Sequence, residues 1–116
     1  MTLTTEDFGD ALDVNAATLD EILLTDMFGK FAILSASEKE FIQAGNDWEP
    51  SEECSAFMRL HDSDPWTIEY REGERMFQAV GKVTLEQARL AFHSYLAGGQ
   101  EWRSNFTWSE IFIRLT

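Results

Sequence analysis

Hydrophobic and polar positions alternate between a helical period and a strand period along the chain, and each change marks an expected element. Phe8, Ala11 and Leu12 follow Thr5 at helical spacing until Asn15 interrupts them, which predicts a first short helical piece. A second opens at Thr18, Leu19, Asp20 and Glu21, a capping-box pattern in which hydroxyl and carboxylate satisfy backbone donors at a helix start. Leu19, Ile22, Leu23 and Met27 mark its apolar face and Gly29 its stop, although residues 22–24 also fit a strand.

From Phe31 the pattern alternates. Residues 31–34 and 40–44 flank a polar turn and predict a hairpin. Asn46, Asp47 and Pro50 break it, and Pro50 suits the first turn of a helix running through Cys54, Phe57, Met58 and His61. Pro65 ends that helix, because proline disfavours helical geometry in the residue before it. Trp66, Ile68 and Tyr70 are then expected on one sheet face, with Thr67 and Glu69 on the other. Gly73 supplies a turn, and residues 75–80 return as a strand. Thr84, Glu86 and Gln87 start the best-marked helix, whose buried stripe is Leu85, Ala88, Phe92, Tyr95 and Leu96 before Gly98 and Gly99. Ile111, Ile113 and Leu115 predict a last strand.

Residues 31–61 and 66–96 echo one another at an offset of 35. Ile33/Ile68, Gln43/Gln78, Ala44/Ala79, Ala56/Ala91 and Phe57/Phe92 are identical, and both segments read strand, turn, strand, helix. The expected fold is therefore α+β: an antiparallel sheet of four to five strands with helices packed on one face, organised as two ββα units at about 31–61 and 66–96. The length of 116 residues suits one domain.

Charge changes the picture most. The formal net charge is −12, and all of the excess lies in residues 1–64, which hold 15 Asp and Glu against Lys30, Lys39 and Arg59. Residues 65–116 hold six of each sign. Such a field repels phosphates and anionic lipid headgroups and attracts basic surfaces, so neither nucleic acid nor membrane is an expected partner. The same acidity also serves solubility. The chain opens with acidic residues and lacks an apolar run long enough for a membrane span, which points to a cytoplasmic protein.

Little in the sequence points to catalysis. Cys54 is the sole cysteine and lacks a nucleophile signature, so buried packing is expected of it. His61 and His93 lack a second ligand at helical spacing, and Asp62 and Asp64 lack the remaining oxygen ligands of a calcium loop. Neither GxxxxGK[ST] nor GxGxxG occurs. No enzyme activity, cofactor or metal is expected. Trp48, Trp102 and Trp108 lie in or beside predicted connections, where tryptophan among acids suits a surface that grips Arg and Lys, while large aromatics also commonly fill cores.

Residues 65–108 resemble the ending of a family of bacterial immunity proteins that neutralise polymorphic secreted toxins. The likeness lies in Thr84, Glu86, Ala88, Ala91 and Phe92 on the helix that follows paired strands, then Gly98 and Gly99, and later Trp108. The resemblance implies an inhibitor that binds a toxin domain directly, with the acidic first half covering a basic active site. Acidity, an aromatic and a loop coincide at Asp47, Trp48, Glu49, Glu52 and Glu53, the expected partner-binding residues. Two other readings fit the residues as well: a regulatory or adaptor module binding a cellular protein, and a small-ligand domain.

Overall fold

The computed structural model describes residues 1–25, 27–46 and 51–112. Its strands are β1 (Thr2–Thr5), β2 (Gly9–Ala11), β3 (Phe31–Ser37), β4 (Glu40–Gly45), β5 (Thr67–Glu72), β6 (Arg75–Ala79) and β7 (Trp108–Ile111). Helices α1 (Ala16–Leu23), α2 (Glu52–His61), α3 (Leu85–Leu96) and α4 (Glu101–Ser104) connect them. All seven strands form one antiparallel sheet in the order β2-β1-β3-β4-β5-β6-β7. The α+β class stands, and the expected four to five strands become seven among the described residues.

The two extra strands come from the first hairpin, where a helix was expected. Thr5 Oγ1 does accept from Phe8 N–H at 3.1 Å, as it would at a helix start, but the turn does not propagate. Leu3 instead pairs with Leu34 and Ala11 and is wholly buried, so sheet packing outweighs the local capping signal. Helix α1 likewise starts earlier than the Thr18 box implies. Asn15 is its N-cap, accepting from Thr18 N–H at 2.9 Å, and the helix ends at Leu24, so Met27 lies outside it and 74% exposed.

Elsewhere the expected elements form. Both hairpins of the middle of the chain are present, and α3 carries the full reciprocal capping box between Thr84 and Gln87. Helix α2 is capped by Ser51, and its C-cap Asp62 adopts the left-handed region at φ 52°. Among the described residues, the chain thus runs ββα three times, with the β1-β2-α1 unit unforeseen. The 35-residue echo holds for Ala44 and Ala79, both buried, and for Gln43 and Gln78, both on the opposite face. It fails at Ile33 and Ile68, which lie on opposite faces, so it follows topology and not residue equivalence. For the last strand, Ile111 is in β7, while Ile113 and Leu115 lie outside the described residues.

The sheet is two-faced. Leu3, Leu34, Ile42 and Tyr70 are buried in register across β1, β3, β4 and β5, with Ala32, Ala44 and Ile68 beside them. Leu19 and Leu23 of α1 and Ala88, Ala91 and Phe92 of α3 complete this core. Alanines on both layers let α3 approach: Ala88 and Phe92 share a void of about 10 Å³ with Ala32 and Ala44. On the other face no described residue is buried; Phe31, Ile33, Phe41, Met76 and Ile111 stay partly exposed around a Gln43–Glu69 hydrogen bond of 3.0 Å.

Tryptophan follows the core alternative where it is described. Trp66 is buried against Phe28 at 5.4 Å between ring centroids. Trp102, Trp108 and Phe77 surround Tyr70, each within 4.9 Å of its centroid, and the indoles donate to Gly99 and Arg103 carbonyls. Trp102 is buried and Trp108 half-buried, so neither is an exposed anchor.

Gly29 joins this framework to the first turn. Its φ is +102°, and a Cβ there would lie 2.5 Å from Cβ of Glu6, whose carboxylate accepts from Lys30 N–H at 3.1 Å. Gly29→Ala therefore combines left-handed strain with a clash and should cost about 1–3 kcal/mol. A denaturant melt checks it; an unchanged midpoint would contradict this contact.

Candidate functional site

Because the sheet follows chain order apart from the β1/β2 swap, the charge imbalance along the sequence becomes an imbalance across the molecule. Strands β2, β1, β3 and β4 of the acidic part form one flank, and β5, β6 and β7 of the neutral part form the other. On the neutral flank the cations are engaged: Arg71 pairs with Glu74, Arg75 with Glu110 at 3.1 Å, and Arg103 with Glu72. Lys39 of the acidic flank reaches across to Glu74. Glu21, Glu38, Glu52, Glu53 and Asp62 make no ion pair among the described residues. Their charge is left facing solvent.

Of the expected partner-binding residues, Asp47, Trp48 and Glu49 lie outside the described residues. Glu52 and Glu53 are exposed in the first turn of α2, where a carboxylate also favours the positive end of the helix dipole. That helix is the least embedded of the longer ones and buries none of its residues. Phe57 is half-buried with its ring 4.4 Å from that of His61, Met58 is 39% exposed and Leu60 78% exposed. Cys54, expected in the core, is only partly buried. The reason is topological, since α2 bridges two adjacent strands whose inner face is already filled by α1 and α3.

A charged cluster that the sequence does not reveal joins α1 to α3. Asp20 accepts from Arg89 Nη1 at 2.9 Å and lies 2.6 Å from Nε2 of His93, while Arg89 Nη2 donates to Glu86 at 2.6 Å. Asp20 is 73 residues from His93 in sequence, so neighbour spacing on one helix gives no hint of it. The His93 hydrogen bond first, then Arg89, hold the Asp20 carboxyl below its ordinary value; Arg89 does the same to Glu86, and both carboxylates raise the guanidinium in turn. With every cluster member paired, this arrangement serves as a strut between helices.

Among the described residues no group of three or more His, Cys, Asp and Glu is placed to hold a metal, and no helix is long and apolar enough to cross a membrane. Family models, curated proteins and solved structures contain no match to this chain.

The strut predicts an acid sensitivity. A carboxyl whose folded value is depressed adds stability above its unfolded value, near 3.8 for Asp, and that stability is lost as pH falls through the lower folded value. Denaturation midpoints between pH 5 and pH 2 should fall less steeply in Asp20→Asn than in the parent. Equal slopes would show that the Asp20 contacts contribute nothing to folding.

Proposed function

We propose that this chain is a non-catalytic protein-binding domain that docks a basic protein through its acidic flank, and, in the sharper form suggested by the resemblance of residues 65–108, an immunity protein that covers a basic toxin domain. The observation that carries the reading is that residues 1–64 keep carboxylates such as Glu21, Glu38, Glu52, Glu53 and Asp62 without an ion pair among the described residues, while Arg71, Arg75 and Arg103 are bound by acids of their own half. A carboxylate surface of this kind steers a cationic partner into encounter, and specificity then comes from a few desolvated anchors. The exposed helix α2, with Glu52 and Glu53 at one end and Leu60 on its surface, supplies both kinds of group. The adaptor alternative shares this docking chemistry and differs only in the partner.

The test is capture of the partner with tagged protein at low salt, followed by association kinetics of the purified pair. Affinity should fall steeply as salt rises, because exposed charges are screened within about 8–10 Å at physiological ionic strength. Glu52→Lys with Glu53→Lys should slow association about tenfold or more while shifting stability by about 1–2 kcal/mol at most. A salt-independent affinity would reject the acidic flank as the docking surface, and an unchanged on-rate would remove these two residues from it. A captured nuclease-like toxin favours immunity, and a cellular protein the adaptor role.

A further inference from the structure

Two helix C-termini and one helix N-terminus converge on a recess of about 280 Å³ beside α1, α2 and α3. Leu23, Leu24 and Leu85 give it an apolar lining, Asp62, Glu86 and Arg89 a charged one, and His61 adds an imidazole. Its volume lies just under the roughly 300 Å³ at which small-molecule sites begin, a size suited to one side chain. Leu24 is 63% exposed, so one of the lining leucines is open to solvent.

The electrostatics select the sign of an occupant. Helices α1 and α2 end at Leu24 and Asp62, both of which line the recess, and helix C-termini carry partial negative charge. The positive end of α3 is already occupied. Leu85 N–H donates to Ser63 Oγ at 3.0 Å, Gln87 N–H to Thr84 Oγ1 at 3.0 Å, and Thr84 N–H to Gln87 Oε1 at 2.9 Å. Arg89 is held by Asp20 and Glu86, which leaves its charge more than balanced, while Asp62 has no cation partner among the described residues. An anion would meet capped amides, the carboxylates of Asp62 and Glu86, and an Arg89 already claimed by Asp20 and Glu86, with the His61 imidazole beside them; a cation on an aliphatic stem meets leucines, helix C-termini and Asp62.

We infer that this recess is the anchor pocket for a single arginine side chain presented by the basic partner protein. Arginine combines an apolar stem with a weakly hydrated planar donor fork, which fits this lining better than the strongly hydrated ammonium of lysine. The inference rests on the proposed docking of a basic protein and names one of its contact points.

The experiment titrates isotope-labelled full chain with acetyl-Gly-Arg-Gly-amide and follows the amide spectrum, with the citrulline peptide as the neutral isostere. Shifts should centre on Leu24, Asp62, Ser63 and Leu85, and citrulline should bind about fivefold or more weakly. Asp62→Asn keeps a residue that tolerates the left-handed cap and should weaken arginine about two- to fivefold. Leu24→Arg changes an exposed side chain, places a guanidinium at the recess, and should abolish the shifts while leaving the rest of the spectrum in place. Equal binding of citrulline, persistence of the shifts in Leu24→Arg, no shifts at millimolar peptide, or shifts centred on Glu52 and Glu53 would each overturn the pocket. Those failures leave the salt dependence and on-rate of the whole partner as the separate test of docking by the acidic flank.

Discussion

Burial on a single face of an antiparallel sheet is the constraint from which the rest of this structure follows. Leu3, Leu34, Ile42 and Tyr70 stand in register on that face, and a one-residue slip in any of their strands would turn that strand's apolar set toward solvent. Register is therefore strongly specified, and the helices have one side on which to pack. Once α1 and α3 occupy it, α2 has no core left to enter. Its exposure is a consequence of the same arrangement.

The sheet also converts a one-dimensional property into a three-dimensional one. With strands laid down nearly in chain order, acidic sequence becomes an acidic flank. Had the order interleaved the two halves, Arg71, Arg75 and Arg103 would stand among the carboxylates of the first half and neutralise them locally. Instead they pair with acids of their own flank, and the imbalance survives folding.

How legible this was depends on the range of the interactions. The alternation of β3 to β6 and the Thr84 box are local patterns whose tertiary setting agrees with them, and they form where the periodicity places them. Thr5 illustrates the opposite case: its hydroxyl makes the local capping contact, yet Leu3 two residues earlier is drawn into the sheet by Leu34, a partner that spacing cannot reveal. The sequence does not single out the cap of α1, because Asn15 and Thr18 both offer side-chain oxygens at suitable positions, and only the backbone conformation distinguishes them. The site divides similarly. Glu52 and Glu53 were visible as charge beside a proline, whereas the strut at Asp20 and the convergence of Leu24, Asp62 and Leu85 come from three separate helices.

The aromatic ring set around Tyr70 has a different implication. Trp102 and Trp108 pack on it from α4 and β7, far along the chain from β5, and their indole N–H groups are tied to backbone carbonyls of the same terminal segment. The end of the described chain is thereby bolted to the centre of the neutral flank by rings whose orientations are set by edge-to-face geometry. That braces the neutral flank at its centre, and it leaves the opposite flank and the helix outside the core as the less braced parts of the molecule.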